Sequence, residues 1–159
     1  MLSNAEIDHH TTIKFTSLKP EARPPTRATK QSAGLDLYST EELIIKPQET
    51  KTIHTGISMQ LPIFHFGQIC DRSSIAISNV KVLGGIIDSD YMGEIKVLLH
   101  NLSPTVDFKV EKDMKVAQMI ITPFLSANLE HIDMNDRPAT ERGQFGFGSS
   151  GLHYKPVGK

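Results

Sequence analysis

Two carboxylates and an aromatic ring lie close together in a glycine-flanked stretch near the middle of the chain, Gly84 to Gly93. Asp88 and Asp90 are two positions apart, so in an extended strand both would point to one face, with Tyr91 on the opposite face. A turn signal at Met92 is expected to break this alternation. The resulting hairpin can hold an acid and an aromatic ring over a pocket rimmed by glycine backbone. On its own, the stretch is equally typical of an ordinary hairpin whose acids are solvated turn residues.

Two further stretches carry side chains that bind anions. Residues 71–76 (DRSSIA) offer a guanidinium group and two hydroxyls, and residues 142–151 (RGQFGFGSSG) repeat that chemistry among four glycines. A guanidinium group can take a phosphate by two parallel charge-assisted hydrogen bonds. We expect the first stretch to begin a short helix, Ser73 to Asn79, with Ser73 or Ser74 as N-cap and an anion at its N-terminus. The second stretch, taken alone, is also typical of a flexible tail.

The elements that must position these groups are short strands separated by turn signals. Ile53 to Leu61 keeps a period of two for nine residues and is the clearest of them. Such spacing predicts an all-β sandwich or barrel rather than a sheet built from βαβ units. The predicted strands are Ile13 to Leu18, Ala33 to Ser39, Leu43 to Ile45, Ile53 to Leu61, Ile63 to Cys70, Val80 to Leu83, Ile86 to Ile87, Ile95 to His100, Val106 to Val110 and Lys115 to Ile121.

Length and charge limit the organisation and the partners. A chain of 159 residues is long enough for one domain with its own core. We predict a disordered lead-in over residues 1–12, a globular domain over 13–136 and a flexible glycine-rich arm over 137–159. Lys and Arg number 17 and Asp and Glu 18, so no net charge favours a nucleic acid, and we expect no direct nucleic-acid binding.

Several functional classes are excluded by what the sequence lacks. Cys70 is the only cysteine, which rules out an intrachain disulfide and a multi-thiolate metal site. No GxGxxG follows a predicted strand and opens a helix, and no GxxxxGK[ST] motif occurs, so Rossmann and Walker-type nucleotide sites are not expected. The N-terminus has no signal-peptide pattern, and no apolar run approaches a membrane span. We therefore expect a soluble intracellular protein, in the cytoplasm, the nucleus or both, with no membrane contact.

Five motifs, in their order and spacing, resemble those of the trimeric dUTP pyrophosphatases (dUTPases), and the likeness runs from about Lys14 to Gly151. The resemblance implies a distorted jelly-roll β-barrel with one short helix, assembled as a homotrimer with active sites at the subunit interfaces. It also implies hydrolysis of dUTP to dUMP and pyrophosphate, which limits uracil incorporation into DNA and supplies dUMP for dTTP synthesis. The motifs are Ala33 to Leu37, Arg72 to Ala76, Gly85 to Ile95, Val116 to Ile120 and Arg142 to Gly151.

The resemblance also implies a role for individual residues. Asp88 would activate the water that attacks the α-phosphate, and Asp36 would contact Mg²⁺ through water while the ion sits mainly on the triphosphate. The uracil and deoxyribose would be bound by Gly84, Gly85, Ile86, Tyr91, Met92 and Phe147, and the triphosphate by Arg72, Ser73, Ser74, Gln118, Arg142, Gly148, Ser149 and Ser150.

Four departures from the usual family pattern bear on these roles. Asp71 stands where proline is common and adds a negative charge near the expected phosphate site. Lys115 stands where arginine is common and lacks the guanidinium fork, Asp113 and Met114 replace a Gly-Asp pair, and Phe145 replaces a glycine. None removes a residue assigned to the chemistry. Two other interpretations stay open, a catalytically weak nucleotide-sensing module and a dCTP deaminase of the same fold.

Overall fold

The computed structural model describes residues 12–140 and 143–144. Two compact units are present, Met1–Ser126 and Ala127–Lys159; the predicted boundary after residue 136 remains a prediction. Among the residues described, no helix has the length and apolar character needed to cross a membrane. The predicted lead-in falls almost wholly outside the described residues. Phe145 also lies outside the described residues. Five of the predicted site residues do as well, namely Arg142, Phe147, Gly148, Ser149 and Ser150.

The first unit consists of short β-strands and one helical turn, α1 (Ser73–Ala76). In the second unit the described residues include one 3₁₀ turn, Met134–Asp136. The prediction of an all-β fold with one short α-helix is confirmed. The strands are β1 (Lys14–Ser17), β2 (Leu35–Tyr38), β3 (Leu43–Ile45), β4 (Thr50–His54), β5 (Ile57–Gln60), β6 (His65–Cys70), β7 (Val80–Leu83), β8 (Ile86–Ile87), β9 (Lys96–Asn101), β10 (Phe108–Val110) and β11 (Lys115–Pro123).

The strands pair antiparallel in four sheets. The largest has the order β2-β11-β6-β8, a second has the order β4-β9-β7, and β1-β5 and β10-β3 form two-stranded pairs. In the largest sheet β11 lies between β2 and β6, so Gln118 is opposite Asp36 on one side and opposite Cys70 on the other. Three of the five sequence motifs are thereby brought side by side.

The core is built by the alternation of these strands. In β9, for example, Val97 and Leu99 are completely buried while Lys96 and Leu98 point outward. Each large aliphatic side chain removed from water contributes roughly 1.5–3 kcal/mol. Fully buried side chains from eight strands meet in one cluster. Its largest members include Leu37, Ile45, Ile53, Ile57, Val97, Leu99, Val116 and Met119.

The prediction of one long strand from Ile53 to Leu61 is wrong. The chain breaks into β4 and β5 because Gly56 adopts a positive φ of 66°. Its carbonyl accepts a hydrogen bond of 2.7 Å from the Leu18 N–H, and its own N–H donates to Glu94 Oε1 at 2.8 Å. Buried residues continue on both sides of the break, which is why the apolar period of two hides it.

The predicted helix and its cap also differ from the structure. The helix ends at Ala76 rather than Asn79, and its N-cap is Arg72, with no side-chain hydrogen bond to the first turn. Ser73 and Ser74 lie inside that turn, so neither hydroxyl is in the N-cap position. Asn79 has a φ of 58° and leads directly into β7, which leaves no room for a second turn.

Gly56 provides a test of the break between β4 and β5. A side chain at this positive φ costs about 1–2 kcal/mol. An added Cβ would also lie 2.8 Å from Ala22 Cβ and 3.1 Å from Thr40 Cγ2. We expect Gly56→Ala to lower the free energy of unfolding by about 3 kcal/mol, measured by urea denaturation.

Gly84→Ala is the matched control for this change. Gly84 has a similar φ of 69°, but no described atom lies within 4 Å of its added Cβ. In this variant the free energy of unfolding should therefore fall only by the backbone contribution of about 1 kcal/mol. Equal losses for the two variants would contradict the packing role assigned to Gly56.

Candidate active site

A buried carboxylate held by two cations organises one end of the largest sheet. Asp36 on β2 is only 4% exposed. Arg72 donates from Nη1 to its Oδ1, and Lys115 Nζ lies 2.8 Å from its Oδ2. An isolated buried carboxylate is strongly destabilising unless it is paired and hydrogen-bonded. The two cations therefore compensate the buried charge, while Oδ2 has a charge contact to Lys115 but no hydrogen bond within the part of the chain that the structure describes.

The backbone around Asp36 explains its burial. β2 is an edge strand of its sheet, and Thr26 pairs with Asp36 on the outer side, where the Asp36 N–H donates to the Thr26 carbonyl at 2.7 Å. On the inner side Asp36 is opposite Gln118 of β11. Both edges of the residue are thus covered by protein, which leaves its side chain facing the two cations.

A register shift in β11 brings Lys115 to Asp36. The pairing with β2 shifts between Lys115 and Ala117, so Tyr38 is opposite Lys115 rather than Val116. Lys115 then lies diagonal to Asp36, and its Nζ also sits 5.9 Å from the Tyr38 ring centroid. This lysine, at a position where arginine is common in the resemblance, keeps a charged contact to the site.

Gln118 is fixed between the first two motifs. Its Nε2 donates to the Asp71 carbonyl at 2.9 Å. Gly34 lies directly against its amide, and an added Cβ at that glycine would overlap Gln118 Oε1. The absence of a side chain at Gly34 therefore allows Gln118 to occupy its place next to the segment that carries Arg72.

Asp71 directs its charge away from the anion-binding groups. Its Oδ1 accepts a hydrogen bond of 2.5 Å from the Val82 N–H on β7. This bond ties the segment before Arg72 to a neighbouring strand. The acid that stands where proline is common thus acts here as an acceptor for backbone, while its carbonyl orients Gln118.

The Arg72 side chain retains an unused donor. Its Nε is buried and has no hydrogen-bond partner among residues 12–140 and 143–144. An unsatisfied buried donor costs about 1–3 kcal/mol, so this group has a strong preference for an incoming acceptor. Ser73 and Ser74 follow it and are exposed. A guanidinium group and two hydroxyls in succession are suited to a phosphate.

The second glycine of the Gly84 to Gly93 hairpin allows β8 to lie close to β6. Gly85 has a φ of 105°, and its carbonyl accepts the Ile69 N–H at 2.7 Å. A Cβ at Gly85 would lie 2.8 Å from the Ile69 carbonyl oxygen, which is too close. Bare backbone is therefore a requirement at Gly85 for its approach to Ile69.

Asp88, Tyr91 and Ile86 line one cleft, with a volume of about 430 Å³. Tyr91 is 43% exposed. Asp88 is exposed as well, and its carbonyl accepts the Tyr91 N–H at 3.2 Å. The other lining residues are Thr52, Ile87, Glu94, Lys96 and Leu98.

The remaining hairpin residues take different positions. Met92 is exposed and does not line this cleft, although its carbonyl accepts a hydrogen bond of 2.8 Å from Ser58 Oγ. β8 ends at Ile87, so Asp88 and Asp90 follow the strand rather than sharing one of its faces. The structure gives the Asp90 carboxylate no hydrogen bond to another described residue.

Sequence reasoning did not find the residue that anchors the hairpin. Glu94 accepts hydrogen bonds of 2.8 Å from the Gly56 N–H and from His54 Nδ1. Burial raises the pKa of Glu94, but the bonds from His54 and Gly56 outweigh it, and the pKa lies below its usual value. The partners lie 38 and 40 residues away, so no local pattern could have revealed them.

The structure does not bring Asp88 and Asp36 together within one chain. β11 and β6 lie between β2 and β8, which separates the two strands by about 14 Å across the sheet. Asp36 is level with Cys70, whereas Asp88 follows Ile87, which pairs with Gly67. This adds roughly 13 Å along the strands. The acid of the cleft and the anion-binding cluster thus lie at opposite corners of the sheet.

The carboxylates of the described residues do not cluster into a site that could coordinate a metal ion directly. Within residues 12–140 and 143–144 no group of three or more His, Cys, Asp or Glu side chains could hold a metal ion. Asp36 is a single carboxylate whose two oxygens already face Arg72 and Lys115. This donor set fits contact with a metal ion through water rather than direct coordination.

Comparison with known proteins gives a consistent result. The sequence model of the dUTPase family matches residues 20–151. The deoxyuridine 5'-triphosphate nucleotidohydrolase of Clostridioides difficile is 46% identical over 144 residues, which cover 88% of this chain and 98% of that protein. The enzyme of the same name from Yarrowia lipolytica is 39% identical over 142 residues, covering 89% of this chain and 90% of that protein.

Solved structures agree with the sequence comparison. The dUTPase of Staphylococcus bacteriophage 80alpha, solved with dUPNHPP, superposes with a TM-score of 0.83 at 26% identity. The match covers 89% of this chain and 99% of that chain. The predicted jelly-roll architecture of the dUTPase type is thereby confirmed.

Lys115 tests the pairing at Asp36. Lys115→Met would leave Oδ2 of a buried carboxylate without its cation. Because Lys115 is 41% exposed, solvent screens part of this pair, and we expect a loss of about 1–2 kcal/mol in the free energy of unfolding by urea denaturation. Lys115→Arg keeps the charge and serves as the control. A Met variant as stable as the Arg variant would show that Arg72 alone satisfies Asp36.

Proposed function

The chain belongs to the dUTPase family and is an enzyme that hydrolyses dUTP, and from that premise we propose how its residues bind the substrate and perform the cleavage. The observation that carries the proposal is the shared cleft of Asp88 and Tyr91. An exposed carboxylate beside an aromatic ring offers a general base next to a wall for the sugar. The anion-binding cluster around Arg72 supplies the complementary half of the site.

Asp88 acts as the general base. Its carboxylate takes a proton from a water molecule, whose oxygen forms a bond to the α-phosphorus while the bond to the bridging oxygen of pyrophosphate breaks. The products are dUMP and pyrophosphate, with no covalent enzyme intermediate. General-base assistance of this kind contributes about 10²–10⁴-fold to the rate. The exposed position of Asp88 at the cleft supports this assignment because water and substrate can both reach the carboxylate.

The hairpin recognises the nucleoside through its backbone. Gly84, Gly85 and Ile86 present N–H and C=O groups to the Watson–Crick edge of uracil. Cytosine would offer a donor where uracil offers an acceptor, which leaves a buried polar group unpaired. Tyr91 packs under the deoxyribose and leaves neither space nor a partner for a 2′-hydroxyl group. Met92 completes this contact, and Phe147, outside the described residues, stacks on the base.

The triphosphate is bound by groups from several motifs. Arg72 offers its buried Nε and the remaining guanidinium donors, and the exposed hydroxyls of Ser73 and Ser74 extend this surface. Gln118 is held beside them through the Asp71 carbonyl. The motif outside the described residues supplies the other contacts, from Arg142, Gly148, Ser149 and Ser150.

Mg²⁺ is the metal that fits this chemistry. It keeps several water ligands and takes its direct ligands largely from substrate phosphates. When bound it would neutralise charge that develops on the phosphate oxygens. Asp36 would orient its water ligands, since the carboxylate is buried and held by Arg72 and Lys115.

The enzyme works as a homotrimer with sites shared between chains. The separation between Asp88 and the Asp36 cluster exceeds the reach of one triphosphate, so the two halves must come from different copies. Exposed apolar side chains on the described residues provide surface for such an assembly, including Ile63 at 76%, Leu125 at 89% and Leu129 at 100% exposure. We also propose that it acts inside the cell, in the cytoplasm or nucleus, which suits a chain with a single cysteine.

Asp88→Asn tests the catalytic assignment. The amide cannot accept the proton, so we expect kcat for pyrophosphate release from dUTP to fall by about 10²–10⁴-fold. Binding of dUTP, measured by calorimetry, should stay within a few-fold of the unchanged protein. Asp90→Asn is the matched control and should keep most of the activity. An Asp88→Asn variant with unchanged kcat would overturn the assignment.

Tyr91→Ala tests the recognition of the sugar. Removing the ring opens the space in which a 2′-hydroxyl group would lie. We expect the ratio of kcat/KM for dUTP over UTP to fall by at least about 100-fold, because the site loses both the wall and its contact with the deoxyribose. Pyrophosphate release from the two nucleotides is the measurement. An unchanged ratio would move sugar recognition elsewhere in the site.

A further inference from the structure

The far end of the Gly84 to Gly93 hairpin is tied to β4 and β5 by one side chain. Glu94 is only 15% exposed in its side chain. Its Oε1 accepts the Gly56 N–H and its Oε2 accepts from His54 Nδ1, both at 2.8 Å. Gly56 is the residue that breaks β4 from β5, so its N–H is not used by a sheet ladder. Glu94 is therefore joined to the body of the fold by two directed bonds.

The same residue holds the Tyr91 hydroxyl. Tyr91 donates from its OH to the Glu94 carbonyl at 2.9 Å. The ring folds back over Gly93, where an added Cβ would lie 2.6 Å from Tyr91 Cζ. The ring is thus fixed at its hydroxyl by Glu94 and at its face by the backbone between them.

We propose that Glu94 is a positioning residue that sets the orientation of the Tyr91 ring and thereby the discrimination between deoxyribose and ribose. The proposal rests on the role of Tyr91 described above. Glu94 does not need to touch the substrate. Its carboxylate fixes its own backbone against β4 and β5, its carbonyl fixes the Tyr91 hydroxyl, and the ring then stands at a defined height in the cleft.

A carboxylate is required at this position because both partners are donors. An ionised carboxylate accepts at both oxygens, whereas a glutamine amide would place an NH₂ group against one of the two donors. For the same reason His54 must carry its proton on Nδ1 when it bonds to Glu94. The His54 N–H itself donates to Glu41 Oε1 at 3.1 Å, which holds the backbone of this histidine in place.

The hairpin has other attachments that do not depend on Glu94. Ser58 Oγ donates to the Met92 carbonyl at 2.8 Å, and the Ile95 N–H donates to the Ile57 carbonyl at 2.8 Å. Ile95 is also completely buried. A change at Glu94 should therefore leave the hairpin attached to the fold, and its effect on the Tyr91 ring would come from the lost bonds to Gly56 and His54.

The test compares Glu94→Gln with Glu42→Gln. Glu42 is exposed and pairs with Lys109, so its change removes the same charge away from the cleft. We expect Glu94→Gln to lower the ratio of kcat/KM for dUTP over UTP by between about 10-fold and about 100-fold, as for a misplaced positioning contact. Glu42→Gln should leave the ratio unchanged. A Glu94→Gln variant with the wild-type ratio would overturn the proposal, even if it were less stable.

His54 provides a rescue experiment. In His54→Asn the side-chain N–H group occupies nearly the same place as Nδ1, one bond from Cγ, and can still donate to Glu94. His54→Ala cannot. We expect the Asn variant to keep the wild-type sugar ratio and the Ala variant to lower it. If both variants lower the ratio equally, the histidine acts by packing and the hydrogen bond to Glu94 does not position the ring.

Tyr91→Ala separates the failure of this proposal from a failure of the proposed site. If Tyr91→Ala keeps the sugar ratio, the assigned role of Tyr91 is wrong and the role of Glu94 falls with it. If Tyr91→Ala removes the preference for dUTP over UTP while Glu94→Gln keeps it, the proposed site stands and only the positioning role of Glu94 is overturned. If both changes lower the ratio and Glu42→Gln does not, the proposal is supported.

Discussion

The end of the largest sheet that we propose to bind the phosphates depends on a buried negative charge. Asp36 is 4% exposed and is tolerated only because Arg72 and Lys115 meet its two oxygens. Arg72 follows β6, Lys115 begins β11 and Asp36 lies on β2, so one carboxylate joins three neighbouring segments of the sheet. In holding Asp36, Arg72 is also held in place, and its buried Nε has no hydrogen-bond partner among the described residues. Charge pairing with Asp36 through Nη1 and the proposed phosphate contact through Nε thus use the same side chain.

The Gly84 to Gly93 hairpin, proposed to bind the nucleoside, is built on a different principle. Here bare backbone at Gly85 allows a close approach to Ile69, and the absence of a side chain at Gly93 makes room for the Tyr91 ring. Close packing of backbone leaves few degrees of freedom, and Glu94 removes more by bonding to Gly56 and His54. The enzyme therefore presents Asp88 on a hairpin whose shape is defined by contacts outside the cleft. Such preorganisation is what a reaction that relies on geometry and electrostatics requires.

Much of this organisation could be predicted from the sequence, and the rest depends on contacts distant along the chain. Alternation of apolar residues predicted most strands, but it concealed the break at Gly56, because residues on both sides of it are buried. The resemblance indicated Asp36 and Arg72, yet only the register shift in β11 shows how Lys115 reaches the carboxylate. No local sequence pattern pointed to the anchoring role of Glu94. Pairing register and side-chain partners are set by tertiary packing, which a single sequence does not display.

The most direct test of the account is subunit complementation between two inactive variants. Chains carrying Asp88→Asn and chains carrying Arg72→Ala are refolded separately and as an equal mixture, and pyrophosphate release from dUTP is measured. If Asp88 and Arg72 serve one site from different copies, about a quarter of the sites in the mixture combine an intact hairpin with an intact phosphate cluster, and activity returns. A mixture no more active than the two variants alone would place both residues in the same chain's site and contradict the account.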